Sequence, residues 1–348
     1  MSRQRPLTTP DALQSAGLIG SADAEALAPV AERYAIAVTP FLASRIDRNN
    51  PDDPIARMFV PRPEEMLRTP EELADPIGDD THSPVPGIVH RYPDRVLLKP
   101  VAVCPVYCRF CFRREMVGPD LGEALTPAAL GNALDYIRAH TEVREVILTG
   151  GDPFMLSAAR AGALTQALVA IPHVSIIRWH TRMPVADPVR ITAAYVEALQ
   201  ASGKAVYVSL HINHVQELSL ETRYVLNMFA DAGFPLLAQT VLLRGVNDDA
   251  GTLAELMQAL VAARVRPYYL HHPDLAPGTG HFRLSVEEGQ AIYSDLRDRV
   301  SGLALPHYVI DIPGGVSKAN AAPSDIVQTP DGKALRGRDG QLYPYERD

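Results

Sequence analysis

The stretch Cys104-Pro-Val-Tyr-Cys108-Arg-Phe-Cys111 holds all three cysteines of the 348-residue chain. Three residues separate the first two thiols and two residues separate the second pair, so one loop can wrap around a compact group and present three thiolates to it. A 4Fe–4S cluster has four irons, and three thiolates leave the fourth iron open to a small molecule. The spacing therefore predicts a loop that holds an iron–sulfur cluster with one free coordination position.

Other uses of three clustered thiols fit the spacing less well. Disulfides need pairs, and three cysteines leave one over. Structural zinc takes four ligands, usually as two separated pairs, so a histidine from elsewhere would have to complete the set. The cluster is the favoured interpretation, and a zinc site with such a histidine stays open.

The composition is that of an ordinary globular protein. Hydrophobic residues make up 47% and charged residues 21%, and the length suits one large domain or two smaller ones. The net charge of −8 disfavours a broad nucleic-acid-binding surface. No apolar run follows Met1 as in a signal peptide, and no window approaches a membrane span. Thiols without a disulfide scaffold fit a reducing cytoplasm, which is the expected location.

The chain divides into three predicted regions. Residues 1–85 lack strand-like alternation and contain helix-like segments, which indicates a helical N-terminal cover. Residues 86–312 alternate strands with helices, and residues 313–348 form a Gly-, Pro- and Asp-rich tail that ends in a small turn-linked pair of strands. The predicted strands are 96–101, 143–149, 174–179, 205–211, 235–243, 265–271 and 307–311.

Strand–helix alternation without hairpin signals predicts an α/β fold with a parallel sheet. Polar residues gather where the predicted strands end, which is where parallel barrels keep their chemistry. These residues are Asp152, Arg182, His211, Gln239, Asp274 and Asp311. Seven strands are one short of a closed barrel, so we expect an open, partial (β/α) barrel; a doubly wound sheet is the alternative.

Three further motifs carry candidate chemistry, and each also has a plain structural interpretation. Gly150-Gly151-Asp152 is either a turn or a point where a ligand approaches the backbone closely. Arg91 and Arg95 flank Tyr92 and either face solvent or grip a phosphate. Lys318 follows Gly314-Gly315-Val-Ser and is either a solvated loop residue or a lysine that forms an imine with pyridoxal phosphate.

Together these stretches resemble the lysine 2,3-aminomutase family of radical S-adenosylmethionine (SAM) enzymes. The resemblance runs from about residue 48 to Lys318 and is carried by residues 90–95, 104–114, 148–152, 239–248 and 266–270. It implies the partial barrel fold and an isomerase that moves the α-amino group of L-lysine to C3, giving β-lysine. It also implies three cofactors: a 4Fe–4S cluster, SAM and pyridoxal phosphate.

The resemblance assigns roles to individual residues. Cys104, Cys108 and Cys111 would hold the cluster, which reduces SAM to give a 5′-deoxyadenosyl radical. Lys318 would carry pyridoxal phosphate. The phosphate contacts would be Arg91, Tyr92 and Arg95, and the SAM site would include Gly150, Gly151, Asp152, His211 and Gln239. Arg113 would bind the substrate carboxylate, while Asp274 and Asp311 would hold the lysine ε-ammonium, although either aspartate alone reads equally well as a cap.

Some features separate this chain from the larger clostridial members of the family. It has no spare cysteines for their additional zinc site, and Val316-Ser317 before Lys318 is more typical of shorter relatives that act on a lysine of elongation factor P. Modification of elongation factor P is therefore the alternative function, and a non-catalytic iron–sulfur or zinc-binding protein is a further one. The expected partners are free lysine or elongation factor P and a reductant such as flavodoxin or ferredoxin, with no nucleic acid, no membrane and a homo-oligomer left open.

Overall fold

A nine-stranded sheet forms the centre of the molecule in the computed structural model, which describes residues 5–122 and 124–346. Its strands lie in chain order: β1 Ile88–Tyr92, β2 Arg95–Val101, β3 Glu145–Gly150, β4 Ile176–Thr181, β5 Ala205–His211, β6 Leu236–Val241, β7 Val265–His271, β8 His307–Asp311 and β9 Lys318–Asn320. Strands β2 to β8 are parallel, and β1 and β9 are antiparallel to their neighbours. The two edges do not pair with each other within the described ranges, so the open α/β barrel is confirmed.

The seven parallel strands are the seven that the sequence predicts, but the two antiparallel edge strands are additional. β1 and β2 form a hairpin in which Tyr92 lies opposite Arg95. β8 and β9 form a second hairpin that places Asp311 opposite Lys318. The expectation that this region lacks hairpins is wrong, because Pro93-Asp94 and Pro313-Gly314 both make tight turns. In the second turn Gly315 N–H donates to Ile312 C=O at 3.0 Å, and Gly314 has φ +80°, which favours glycine.

Helices pack on the outside of the sheet, and short helices also form most of the regular structure of the N-terminal region. They are α1 Pro10–Ser15, α2 Ser21–Ala26, α3 Ala28–Arg33, α4 Pro40–Arg45, α5 Pro54–Phe59, α6 Pro127–Ala139, α7 Ala158–Val169, α8 Met183–Ala186, α9 Ala193–Ala198, α10 Leu220–Asp231, α11 Ala250–Ala262 and α12 Val286–Arg299. Thr9, Thr39 and Asp53 cap α1, α4 and α5, each with proline in the first turn. None of the described helices is long and apolar enough to cross a membrane.

The core lies between the sheet and its outer helices. Alternate residues of each strand point outward, and Val96 and Leu98 of β2 are at most 1% exposed. The opposite face of the sheet, which carries the polar residues, therefore lines the inside of the partial barrel. The C-terminal tail adds a separate antiparallel sheet, β10 Ile326–Thr329, β11 Gly332–Arg336 and β12 Leu342–Glu346, where the sequence predicts a pair of strands.

A buried ion-pair group ties the N-terminal region to the cysteine loop. Glu65 is 1% exposed and pairs with both Arg109 and Arg114 of that loop, with Arg109 Nε donating to Oε1 at 2.9 Å. Arg109 also donates to the Ala35 carbonyl, and Arg114 donates to the Gly278 carbonyl at 2.8 Å. Burial raises the pKa of Glu65, but the two guanidinium groups bring it below its usual value. One carboxylate thus holds segments from three parts of the chain together.

We expect Glu65→Ala to destabilise the protein by roughly 3–5 kcal/mol, because it leaves two buried guanidinium groups without their carboxylate. The matched control is Asp135→Ala, which removes the exposed Asp135–Arg138 pair on α6 and should change stability little. Denaturant unfolding measures both. Equal midpoints for the two variants would show that Glu65 does not hold the loop.

Candidate active site

The cysteine loop follows β2 and crosses the carboxyl end of the sheet. Cys104, Cys108 and Cys111 are half-buried free thiols. Burial raises the pKa of each thiol, to about 12 for Cys108. All three line one small cavity, whose other walls are Tyr34, Ala35, Val106, Tyr107, Arg109, Arg114 and Val117.

This donor set fits a 4Fe–4S cluster. In residues 5–122 and 124–346, no three His, Cys, Asp or Glu side chains are arranged to hold one metal ion. A cluster makes a different demand, because each thiolate binds a separate iron and the thiols stand further apart than around a single ion. Three thiols on one short loop, facing a shared cavity, provide that arrangement, and the fourth iron would remain for another ligand.

The predicted glycine motif lies directly against this loop. A Cβ on Gly151 would come within 2.3 Å of the Val103 carbonyl oxygen, and Gly150 has φ +109°. The Gly151 N–H donates to Val101 C=O at 2.8 Å. These glycines are therefore required for the backbones of β3 and the cysteine loop to cross, a structural role that neither the turn nor the ligand interpretation predicted.

Asp152 is buried and its carboxylate is occupied by protein groups. It accepts hydrogen bonds from the Thr181 hydroxyl at 2.8 Å, the Arg182 N–H at 2.7 Å and the Phe154 N–H at 2.9 Å. Burial raises its pKa. In this arrangement Asp152 joins the loops after β3 and β4, and its predicted place in the SAM site stays a prediction.

A cluster of cations surrounds one buried carboxylate on the β1–β2 side of the site. Asp79 is fully buried, and its Oδ2 accepts from Arg113 Nε at 2.8 Å. Lys99 Nζ lies 3.8 Å from the same oxygen, and Arg91 Nη2 lies 3.6 Å from Oδ1. Burial raises the pKa of Asp79, but Arg113, Lys99 and Arg91 bring it below its usual value. We call Asp79, Arg91, Lys99 and Arg113 the cationic cluster.

The predicted phosphate residues occupy the β1–β2 hairpin. Arg91 donates to the Ile77 carbonyl at 2.9 Å, and a Cβ on Gly315 would lie 2.9 Å from its Cδ. It therefore lies beside the turn that leads to Lys318. Arg95 stacks over the ring of Tyr92 at 3.7 Å and pairs with Asp94. The structure thus brings Arg91 towards the turn before Lys318, while Arg95 and Tyr92 pack on each other.

Lys318 faces the predicted substrate carboxylates across the β8–β9 hairpin. Its Nζ donates to Asp311 Oδ1 at 2.6 Å and lies 5.9 Å from the centre of the Tyr269 ring. Burial raises the pKa of Asp311, but a hydrogen bond with His271 and the nearby ammonium bring it far below its usual value. Asp311 is therefore ionised at neutral pH and already holds an alkylammonium.

Asp274 completes the acidic side of the site. Burial, with a smaller contribution from the Asp311 charge, raises its pKa to about 7. Lys318, Arg113 and Arg91 act in the opposite direction on the same carboxyl. The charges of Asp274 and Asp311 thus interact, and the Lys318 ammonium acts on both carboxyls. We call them the acidic pair.

Imidazole and amide groups fill the barrel interior below the acidic pair. His271 Nδ1 lies 3.5 Å from Asp311 Oδ2, and its Nε2 lies 3.0 Å from Gln239 Oε1. Gln239 Nε2 contacts His180 Nδ1 at 3.1 Å, and His180 packs edge-on against His211. Burial lowers the pKa of these histidines, to about 3 for His211, so they are neutral hydrogen-bonding groups.

Most of these residues are among those predicted from the sequence, but four are not. Asp79 and Lys99 belong to the cationic cluster, and His180 and His271 belong to the interior network. His180 and His271 stand at the ends of predicted strands, so the rule that found Gln239 could have found them. Asp79 lies outside the predicted barrel, and no local signal marks it.

Comparison with known proteins finds extensive similarity. The Radical SAM superfamily matches residues 98–257. L-lysine 2,3-aminomutase of Clostridium subterminale is 40% identical over 322 residues, which cover 92% of this chain and 77% of that protein. L-lysine 2,3-aminomutase of Escherichia coli is 39% identical, covering 82% of each. Glutamate 2,3-aminomutase of Clostridioides difficile is 33% identical, covering 98% and 80%.

The raised pKa of Asp274 gives a pH-dependent prediction for stability. A carboxyl whose folded pKa is about 7 destabilises the fold increasingly as the pH rises from its unfolded pKa towards 7. Asp274→Asn removes this cost, so the variant should gain roughly 2–3 kcal/mol over the parent between pH 5 and pH 8. Urea unfolding without added pyridoxal phosphate measures it, with Asp331→Asn at an exposed turn as the control. A gain that does not change with pH would contradict the prediction.

Proposed function

Because the chain belongs to the lysine 2,3-aminomutase family of radical SAM enzymes, we propose that it moves the α-amino group of free L-lysine to C3 and so forms β-lysine. Family membership makes the protein an isomerase and implies a 4Fe–4S cluster, SAM and pyridoxal phosphate as its cofactors. The choice of substrate is the proposal, and the charges around Lys318 support it.

The division of charge across the site is the observation that carries the proposal. Asp311 of the acidic pair contacts Lys318, and Arg113 of the cationic cluster lies at the cysteine loop, two residues from Cys111. Free lysine has a carboxylate at one end and an ammonium at the other. The site therefore offers charges of opposite sign to the two ends of this substrate, and a buried ammonium requires such negative partners.

The contact between Lys318 and Asp311 supports the same assignment. Lys318 is itself a lysine side chain, and its ammonium occupies the position that a substrate ε-ammonium would take on Asp311. Pyridoxal phosphate bonded to Lys318 would engage that nitrogen, so Asp311 could meet the ammonium of an arriving substrate. Asp274, which titrates near neutral pH, would be held ionised by an arriving ammonium.

When bound, the cluster and SAM would supply a radical able to abstract hydrogen, and pyridoxal phosphate would supply a π-system able to delocalise spin. The chain's own residues orient the substrate for these events. Arg113 binds the carboxylate, the acidic pair fixes the far ammonium, and Lys318 holds the cofactor. Arg91, which lies beside the turn before Lys318, would contact the phosphate. Because both ends of the substrate would be held, its C2 and C3 atoms would be kept in one defined position.

Glutamate is disfavoured by the same charges. Its side-chain carboxylate would meet Asp311, which is ionised at neutral pH, and the repulsion costs binding free energy. A lysine of elongation factor P has no free α-carboxylate and would leave Arg113 without that partner. Assays with glutamate and with elongation factor P therefore distinguish the proposed activity on free lysine from these two alternatives.

Asp274→Asn and Asp311→Asn should each lower kcat/KM for lysine by about 30-fold or more. Removing one carboxylate leaves a desolvated ammonium with half its partners, a loss of roughly 2–5 kcal/mol. Anaerobic assays of reconstituted enzyme measure the change, and borohydride reduction with peptide mapping checks that pyridoxal phosphate is still on Lys318.

Asp331→Asn is the matched control and should behave like the parent. If both acidic-pair variants turn over lysine with the kcat/KM of the parent enzyme, the assignment of lysine as the substrate is contradicted. Parent enzyme that converts glutamate but not lysine, or that acts only on elongation factor P, would contradict it as well.

A further inference from the structure

We propose that Lys99, together with Arg113, binds the carboxylate of an α-amino acid group. Two ligands of the enzyme carry that group, the substrate and the methionyl part of SAM, and the experiment below separates them. The substrate half of the inference rests on the proposed function, whereas the SAM half does not depend on which amino acid is isomerised.

The position of Lys99 on β2 directs its side chain into the barrel. Val96 and Leu98 point to the outer core, so Arg95, Leu97 and Lys99 alternate onto the inner face. The side chain of Lys99 is 22% exposed, and burial lowers its pKa. A lysine placed inside a barrel is costly to desolvate, and a ligand of opposite charge offsets that cost.

Lys99 has hydrogen-bonding capacity that the protein leaves unused. Among the described residues no acceptor lies within hydrogen-bond distance of its Nζ, and its ion pair with Asp79 is long, at 3.8 Å. Asp79 makes its direct hydrogen bond to Arg113 instead. Two further carboxylates act on Lys99 from a distance, but Asp75 accepts from the backbone N–H groups of Asp79 and Asp80, and Asp80 is exposed. Within the part of the chain that the structure describes, the ammonium therefore has a long ion pair with Asp79 but no direct hydrogen bond to a protein acceptor.

A cavity lies where this ammonium can reach a ligand. It measures about 230 Å³ and is lined by Lys99, Arg113 and the glycines Gly150 and Gly151, among others. A Cβ on Gly150 would lie 2.9 Å from the Lys99 Cβ, so the glycine lets β3 pack closely on the lysine stem. A cavity lined by two cations and by glycine backbone suits a carboxylate with an adjacent amine.

The test compares ligands that differ only in the carboxylate. Lys99→Met keeps the length of the stem and removes the charge, and Lys99→Arg restores it. Binding of lysine and of lysinamide is titrated by the absorbance change of bound pyridoxal phosphate, and binding of SAM and of decarboxylated SAM is measured by equilibrium dialysis. Lys99→Met should weaken binding of lysine, of SAM or of both by about 10- to 100-fold. Binding of the matching ligand without a carboxylate, lysinamide or decarboxylated SAM, should change little. Lys99→Arg should recover most of the loss.

Lys333→Met is the matched control, since Lys333 is exposed on β11 and pairs with Glu346 far from the cavity. Iron and pyridoxal phosphate contents verify that each variant is loaded like the parent. Equal weakening for carboxylate and carboxylate-free ligands, loss of pyridoxal phosphate alone, or no change in any ligand would each overturn the inference. If the parent fails to bind lysine, the proposed function fails, and the SAM pair alone decides the role of Lys99.

Discussion

The buried ion pairs of Glu65 are the interaction on which the rest of the site depends. Cys104, Cys108 and Cys111 lie on an irregular loop that has no strand or helix of its own to fix it. Arg109 and Arg114 lie within or just after this loop and meet at the Glu65 carboxylate, which belongs to the N-terminal cover. A buried charge is tolerated only when it is paired, so the cover and the loop cannot separate without a large loss of stability. The N-terminal region is thus part of the site.

Topology then explains how opposite charges come to face each other. Parallel strands bring their carboxyl ends to one edge, where the loop after β2 carries Arg113 and β8 ends at Asp311. Two hairpins extend this arrangement, because β1 adds Arg91 at one side and β9 adds Lys318 at the other. The first and last strands of the open sheet therefore supply the residues expected to hold pyridoxal phosphate, and the strands between them supply the interior histidines.

The alternation of strand-like and helical segments predicted the seven parallel strands, because each is a short stretch rich in β-branched, aromatic or leucine residues. The cysteine spacing predicted the iron–sulfur cluster, since that motif is local. The assignment of pyridoxal phosphate to Lys318 came from the family resemblance and stays a prediction. The edge strands were missed because β9 is only three residues long and gains its order from pairing with β8. Asp79 and Lys99 were missed for a related reason: their ion-pair partners lie 12 or more residues away, and pairing at that range leaves no pattern in the sequence. Which residues form such long-range ion pairs depends on how the chain folds, so these pairs could be identified only in the structure.

The most direct measurement is an anaerobic crystal structure of the reconstituted enzyme with SAM, pyridoxal phosphate and L-lysine. The charge division predicts that the substrate carboxylate contacts Arg113 and that the ε-ammonium lies between Asp274 and Asp311, with the cofactor next to Lys318. A lysine bound in the reverse direction, or an ε-ammonium that reaches neither aspartate, would contradict it.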